Sequence, residues 1–443
     1  MTSSHVLKDK IRSSKARIAV LGLGYVGLPL ACAFAERGFP VFGIDTDVEK
    51  IRLLRSGETS SENKTDSLGV GRDLGGQDVK VDFTHDFSVL TVSDVVIICV
   101  PTPLSKTGDP DLTFIVSAAE QAAKYSHPNM LVVLESTTYP GATKDLLLPT
   151  ILSEHSGKYR VGSEFFLAFS PERIDPGRKD WTLANTPKVV GGVTEECCEM
   201  AELLYSKIVD SIVTVSDTTT AEMVKLLENT FRATNIALAN ELAIMCERLE
   251  VSVWEVIEAA KTKPFGFMPF YPGPGLGGHC IPVDPQYLSW RMRRLDYEAK
   301  FIKIAEEINS SMPLFVVDKT KKALGTKGKN LRDCLVLILG VTYKPNVADI
   351  RESPGLDILE LFLGAGRAVK YNDPFVPELE VDGYPTLQSC ALSESVLESA
   401  DALIMVSNHD SYDLEFIGTH CELLIDTRNS TQGMILDCEV VKL

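Results

Sequence analysis

The run Gly22-Leu23-Gly24-Tyr25-Val26-Gly27 constrains the fold of this chain more than any other feature, once its neighbours are read with it. Residues 17–22 form a short apolar strand that runs into the first glycine. An apolar helical pattern follows to Arg37 and stops at Gly38, and Pro40 to Ile44 makes a second strand that ends on Asp45. Strand, glycine loop, helix and strand in that order, with an acidic residue roughly twenty positions past the first glycine, is the pattern of a dinucleotide-binding βαβ unit. Glycines there let a diphosphate approach the helix N-terminus, where unpaired backbone amides favour an anion. Asp45 would accept from ribose hydroxyls and repel a 2′-phosphate, which favours NAD over NADP. An ordinary tight βα turn would use the same glycines.

The rest of the chain extends the α/β pattern. Val95 to Val100 and Leu131 to Glu135 read as further buried strands, and strands alternating with helices predict a parallel, doubly wound sheet. Ser56 to Asp78, rich in Gly, Ser, Asp and Asn, reads as a surface loop. From about Thr218 to Lys261 long helices take over, with a largely apolar stripe through Ala221, Val224, Leu227 and Glu228, then Phe231, Ile236, Leu238, Leu242 and Met245. Such a helix either joins two domains and supplies a dimer interface or lies buried as a core element. Residues 262–287 are too dense in Pro, Gly and aromatics for regular structure, and so apolar a loop suits a ligand cleft. After Asn330 a second βα pattern begins: a strand from Cys334 to Leu339, a helix near Gly355 to Leu363, and a strand from Ala368 to Tyr371 before Asp373. Ser399-Ala-Asp-Ala-Leu-Ile-Met-Val echoes Val92-Ser-Asp-Val-Val-Ile-Ile-Cys, so this reads as a degenerate copy without the glycine fingerprint. The expected architecture is two Rossmann-like doubly wound domains joined by a long central helical domain. Its expected divisions are residues 1–217, 218–325 and 326–443.

At 443 residues several cores are expected, and no apolar run reaches the ~20 residues of a membrane span. Met1 to Lys15 is polar, unlike a secretory signal, so a cytoplasmic location is the expectation. A net charge of -17 disfavours nucleic acid as a partner, while a local cluster of amides and cations can still hold a diphosphate. Cys32, Cys99, Cys246 and Cys334 sit in apolar runs and read as small buried side chains. No Cys-x-x-Cys pair exists, and no metal site is expected.

Cys280 stands apart. It follows Gly277, Gly278 and His279 in a loop that presents a side chain, and Asp284 comes four residues later. A thiolate there can attack an aldehyde while a nearby carboxylate handles protons or water. Two rival readings are a purely structural loop cysteine and a metal pair of His279 with Cys280, although adjacent side chains in an extended loop point apart. Lys225 and Asn229 share a helix face and suit a developing oxyanion; a solvated lysine beside a surface asparagine fits the same spacing. Thr137 and Glu172 both follow apolar strands, which puts them at the carboxyl edge of a sheet, where α/β proteins bind ligands.

Taken in order, these motifs resemble the UDP-glucose/GDP-mannose dehydrogenase family from about Lys15 to Asn429. The resemblance rests on Gly22 to Gly27, Val100-Pro101-Thr102-Pro103, Lys225-Leu-Leu-Glu-Asn-Thr-Phe-Arg232, Gly277-Gly-His-Cys-Ile-Pro-Val-Asp284, Tyr343-Lys344 and Ile350-Arg351-Glu-Ser-Pro354. It implies a homodimeric NAD enzyme that oxidises a UDP-sugar primary alcohol to a carboxylate, with two NAD reduced per sugar. Cys280 would carry a thiohemiacetal and then a thioester. Lys225 and Asn229 would hold the oxyanion, and Thr137, Glu172 and Asp284 would move protons. By the same resemblance Gly22, Gly24, Tyr25, Val26, Gly27, Asp45, Lys50, Pro101, Thr102, Thr137 and Arg351 contact NAD. The substrate falls to Glu172, Arg173, Lys225, Asn229, Tyr271, Gly273, Gly275, Gly277 and Lys344. Glu135 to Gly141, Ser170 to Arg173 and the loop Thr262 to Pro285 most resemble the branch acting on UDP-N-acetylglucosamine. The UDP-N-acetylmannosamine branch shares Pro272-Gly-Pro-Gly275 but tends to lack the aromatic stretch before it. Arg173-Ile174 and Pro176 stand where UDP-glucose enzymes usually carry Phe-Leu and a second glutamate. A two-electron dehydrogenase of the hydroxyacid or 6-phosphogluconate type shares the first domain and a Lys-x-x-x-Asn pair but needs no Cys280. A non-catalytic nucleotide-sugar sensor would not need Lys225, Asn229, Cys280 and Asp284 together.

Overall fold

The computed structural model describes residues 3–57, 80–105, 108–154, 159–173 and 180–443. Most of the expected loop from Ser56 to Asp78, together with Ile174 and Pro176, lies outside the described residues. The chain divides into two compact units, Met1–Glu228 with Gln286–Tyr297, and Asn229–Pro285 with Glu298–Leu443.

In the first unit helix α1 (Ser3–Arg12) leads into the alternating part: β1 (Ile18–Leu21), α2 (Gly27–Glu36), β2 (Val41–Ile44), α3 (Val48–Ser56), β3 (Val81–Thr84), β4 (Val95–Ile98), α4 (Thr113–Lys124), β5 (Leu131–Leu134), α5 (Leu148–Glu154), β6 (Phe166–Phe169), β7 (Lys188–Gly192), α6 (Glu195–Tyr205) and β8 (Ile212–Val215). The strands form one sheet in the order β3-β2-β1-β4-β5-β6-β7-β8. Its first six members follow the order of a dinucleotide-binding doubly wound sheet. All neighbours are parallel except β6 and β7. Strands β1, β4, β5 and β6 are buried along their whole length, because helices cover both faces and every residue therefore meets apolar neighbours. This is why they read as continuous apolar runs in sequence.

Helix α7 (Thr218–Arg248) runs on from this unit into the second, and α8 (Val253–Lys261) follows a break at Glu250, which has a left-handed φ of 58°. Residues 262–283 contain no helix or strand, as expected, but the loop is shorter than the anticipated 262–287. Helix α9 (Asp284–Arg293) starts within it, since Pro285 has its φ already set for a first helical turn. After α10 (Lys300–Thr326) come β9 (Leu335–Leu339), α11 (Pro354–Gly364), β10 (Ala368–Asn372), the short hairpin β11 (Glu378–Leu379) and β12 (Leu387–Gln388), α12 (Glu394–Ser399), β13 (Ala402–Met405), α13 (Leu414–His420), β14 (Leu423–Asp426) and β15 (Glu439–Lys442). These make an all-parallel sheet in the order β10-β9-β13-β14-β15. The two echoing segments have a shared job in their aspartates. Asp94 accepts from the amide of Arg17 ahead of β1, and Asp401 from that of Leu335 at the start of β9, so each fixes the first rung of its sheet. Among the described residues no helix is long and apolar enough to cross a membrane.

The expected apolar stripe of α7 separates into two faces. Ala233, Ala237, Asn240 and Ala243 are buried, while Leu227, Phe231, Leu238, Met245 and Leu249 are exposed. At about 100° per residue those large side chains fall within roughly 40° of one another, and Lys225 and Asn229 lie on the opposite side. The small residues let neighbouring segments pack closely; Asn240 donates to Asn309 of α10 and accepts the amide of Gly273.

Near the start of α7, Glu222 is fully buried and accepts from the amides of Gly141 and Thr143 and from the Thr143 hydroxyl, pinning the turn after β5. Burial, only partly offset by those hydrogen bonds, pushes its carboxyl up to about 7. A raised folded-state value favours the protonated form, so its contribution to stability is complete below the ordinary carboxylate range and fades as pH rises through about 7. Thermal unfolding of the parent should therefore lose up to about 3 kcal/mol between pH 4.5 and 8 that the Glu222→Gln variant does not lose. Parallel unfolding curves for the two proteins across that range would contradict this.

Candidate active site

In the first unit the expected residues gather at one edge of the sheet, where parallel strands end. The β1–α2 turn is tight. A Cβ on Gly22 would come within 2.6 Å of the Cys99 carbonyl oxygen, and one on Gly27 within 1.9 Å of the Gly22 carbonyl oxygen. Packing therefore explains both glycines. It does not explain Gly24, where a Cβ would meet nothing within 4 Å; a diphosphate drawn close to the backbone would. Asp45, at the end of β2, accepts from the amides of Leu23 and Asp47 and from Lys50 Nζ at 2.9 Å. Burial acts to raise its carboxyl, but those two amides and Lys50 hold it below the usual carboxylate range. With about four acceptor positions on a carboxylate and three in use, capacity for a ribose hydroxyl remains. These residues fit NAD.

Pro101 and Thr102 follow β4, and the loop is tied to the next by the Ser136 hydroxyl, which donates to the Val100 carbonyl at 2.8 Å. Thr137 is half-buried beside it. Its neighbour Thr138, not singled out from sequence, is the more conspicuous: its Oγ1 is buried with no hydrogen-bond partner among the described residues. Glu172 follows β6 and is buried; Arg173 ion-pairs with Glu228 of α7 at 2.6 Å and donates to the Pro187 carbonyl. Lys225 is half-buried and makes no hydrogen bond or ion pair among the described residues.

The second unit assembles the rest around the irregular loop. Asn229 Nδ2 donates to Asp284 Oδ2, and the Asp284 amide donates to the Cys280 carbonyl at 2.8 Å. Asp284 is only 2% exposed, so an asparagine from α7 fixes the carboxylate one helical turn beyond the candidate nucleophile. The glycines before Cys280 are dictated by contact. A Cβ on Gly277 would lie 2.7 Å from the Glu352 carbonyl oxygen, and one on Gly278 would lie 2.8 Å from the Tyr343 ring. The Gly278 amide donates to the Arg351 carbonyl. The loop thus lies directly on the segment that carries Tyr343, Lys344 and Arg351. The Arg351 guanidinium is forked onto Asp349, with contacts of 2.6 and 2.9 Å. Tyr271 gives its hydroxyl to Glu258 and stacks its ring on Trp254, both on α8.

Arg428, also missed in the sequence, follows β14. Its guanidinium donates to the Val406 carbonyl, and a Cβ on Gly273 would touch it at 2.7 Å. Burial pulls its pKa down to about 10, with no carboxylate among the described residues opposing the shift. A desolvated cation without a carboxylate suits a phosphate. Its one sequence signal was its place just past a buried strand. Its counterpart to Asp45, Asp373, is buried and engaged by the amides of Val341, Thr342 and Phe375 and by His409.

Three regions of the chain match profiles of the UDP-glucose/GDP-mannose dehydrogenase family: the NAD binding domain over residues 16–209, the central domain over 219–311 and the UDP binding domain over 337–433. The chain is 37% identical over 425 residues to a UDP-N-acetyl-D-mannosamine dehydrogenase of Methanocaldococcus jannaschii, covering 93% of this chain and 92% of that one. To the enzyme of the same name from Pyrococcus horikoshii it is 38% identical over 420 residues, covering 93% and 95%. The solved structure of a UDP-D-ManNAc dehydrogenase from P. horikoshii superimposes with a TM-score of 0.83 at 35% identity, covering 96% of this chain and 98% of that one. The chain belongs to the UDP-glucose/GDP-mannose dehydrogenase family, and it is an NAD-dependent UDP-sugar dehydrogenase.

Proposed function

We propose that this enzyme oxidises the C6 primary alcohol of UDP-N-acetylglucosamine to the carboxylate, a four-electron change, through a thioester on Cys280. The observation that carries the mechanism is the buried Asn229–Asp284 pair, joined through the Asp284 amide to the carbonyl of Cys280 in a glycine-bounded loop. The Gly22–Gly27 turn and Asp45, with Lys50, Pro101, Thr102, Thr137 and Arg351, would hold NAD, which would supply the hydride acceptor.

The chain's own groups do the remaining work. An aldehyde carbon carries no hydroxyl to oxidise further. Addition of the Cys280 sulfur restores a carbon bearing hydrogen and an oxyanion, the form from which a second hydride can leave. Lys225 and Asn229 stabilise that oxyanion as it forms. Water then cleaves the thioester, with Glu172, Thr137 and Asp284 taking and returning protons, and the free thiol is regenerated. Lys344 and Arg428 neutralise the diphosphate of UDP, while Arg173, Tyr271, Gly273, Gly275 and Gly277 line the sugar.

The glucosamine epimer is supported by the aromatic stretch Pro264-Phe-Gly-Phe-Met-Pro-Phe270 and by Pro171-Glu-Arg173. The second reading, UDP-N-acetylmannosamine, is favoured by the similarity to UDP-N-acetyl-D-mannosamine dehydrogenases at 37% and 38% identity. The exposed apolar stripe of α7 supports a homodimer, since a monomer rarely leaves so continuous a patch in water.

With UDP-glucose and the UDP-linked N-acetyl derivatives of glucosamine, galactosamine and mannosamine as a panel, NADH absorbance should show fastest turnover on UDP-N-acetylglucosamine and two NADH per sugar. A preference for the mannosamine epimer transfers the assignment, and a ratio of one rejects the thioester route. Cys280→Ser should bind the sugar yet form acid at a rate lower by on the order of a thousandfold or more. Gly24→Ala should fold normally but bind NAD about tenfold more weakly, whereas Gly27→Ala should fail to fold; equal NAD affinity in Gly24→Ala would remove the diphosphate from that turn. Finally, Phe231→Glu with Leu238→Glu should convert a dimer to a monomer in sedimentation, and a monomeric parent would refute the dimer.

A further inference from the structure

Two cysteines with no part in the scheme above stand at the entrances of neighbouring strands. Cys421 caps α13 just ahead of β14, and Cys438 is the residue before β15, the edge strand of the second sheet. The two strands pair in parallel with Leu423 opposite Glu439, and the Glu439 amide donates to the Glu422 carbonyl at 3.2 Å. Cys421 is itself extended, with φ of -119° and ψ of 155°, so the register continues back to it. Cys438 therefore lies opposite Glu422 and one residue out of step with Cys421. With strands about 4.8 Å apart and a rise of about 3.3 Å per residue, such a diagonal pair has Cα atoms about 6 Å apart. A disulfide spans that separation without backbone movement.

Both side chains belong to the apolar layer of Leu424 and Val440, with Leu397 of α12 and Ile417 of α13. The Cys421 thiol donates to the Cys438 sulfur, so the two sulfur atoms face each other. Their surroundings differ. Cys421 is buried, whereas Cys438 is only partly so. The shared hydrogen bond, with burial, pushes the Cys421 thiol up. The same bond holds Cys438 below the ordinary thiol value, against burial and Asp437, with Lys327 a smaller aid. One accessible nucleophilic sulfur beside one buried resolving thiol is the arrangement of a dithiol that exchanges with disulfides.

We propose that Cys421 and Cys438 form a redox site, converted to a reversible disulfide by a small-molecule disulfide such as oxidised glutathione, and that the new bond clamps β15 to β14. The Cys438 thiolate attacks one sulfur of the glutathione disulfide, breaks its S–S bond and releases one glutathione thiolate. The Cys421 thiol gives its proton to that thiolate and attacks the Cys438 sulfur, and the second glutathione leaves as a thiolate. The cysteine pair loses two electrons and the glutathione disulfide gains them. The loop so closed, residues 421–438, contains Arg428. Asp426 accepts from the amides of Arg428, Ser430 and Thr431, and Lys442 of β15 donates to Asn429. The clamp thus secures, at its base, the connection that carries Arg428.

The test is treatment of the native full chain with oxidised glutathione, alkylation of the remaining thiols in denaturant, and peptide mass mapping. The parent should yield a peptide linked through Cys421 and Cys438 that dithiothreitol separates. Its melting temperature should exceed that of the reduced protein by about 5 °C. Cys421→Ser should stop at the first step, keeping glutathione on Cys438 with no rise in melting temperature. Cys438→Ser should leave Cys421 a free thiol. If either serine variant does not fold, the alanine variant takes its place. A parental pair that stays reduced, or one that holds glutathione on Cys438 beside an alkylated Cys421, overturns the proposal. So does a Cys438→Ser variant that takes up glutathione on Cys421 as fast as the parent forms its link. Linkage without a thermal shift overturns the clamp.

Discussion

The contact on which the candidate catalytic loop depends is the passage of Gly277 and Gly278 over Tyr343 and the Glu352 carbonyl. No side chain fits there, so the backbone lies flat on the second sheet's β9–α11 connection, and a hydrogen bond from Gly278 to Arg351 sets its register. Cys280 then follows two residues on, and Asp284 opens α9 one turn later. The same passage brings Gly273 against Arg428 and gives its amide to Asn240 of α7. A loop of twenty-odd residues without regular structure would ordinarily wander. Here it is held by glycine contacts and by two asparagines, Asn229 and Asn240, on one helix.

The chain is strongly acidic as a whole, at -17, yet two cations lie buried among its sheets. Arg428 and Lys188 are both desolvated, but differently. Lys188 is matched by carboxylates, which keep it charged, whereas Arg428 has none among the described residues and its pKa falls. The first arrangement is internally satisfied and suits structure. The second suits an external anion.

The doubly wound sheets were legible because strands buried on both faces appear as uninterrupted apolar runs, and because the Gly22 to Gly27 turn can follow only a narrow set of geometries. Even the echo between residues 92–99 and 399–406 proved structural, through Asp94 and Asp401. Less was legible where the answer lay in three dimensions. The apolar pattern of α7 could not say that alanines face inward and Leu227, Phe231, Leu238 and Met245 outward. In the pair Thr137-Thr138, sequence could not say which hydroxyl is buried without a partner. Arg428 and Lys188 carry no motif at all; their character comes from what surrounds them.

Strand β7 adds a consequence of another kind. A wholly parallel sheet recruits its functional groups from one position in each repeat, just past a strand's end, so the supply is limited by the number of strands. Reversing the last two strands, β7 and β8, opens a second source, the residue with which a strand begins. Had β7 run parallel, its four-residue advance would have left Lys188 ~13 Å away, on the opposite rim. The second sheet, with no reversed strand, meets its own buried carboxylate Asp373 with an imidazole, His409, brought in by a loop. Strand polarity here decides which chemical groups a rim can acquire, independently of what the helices do.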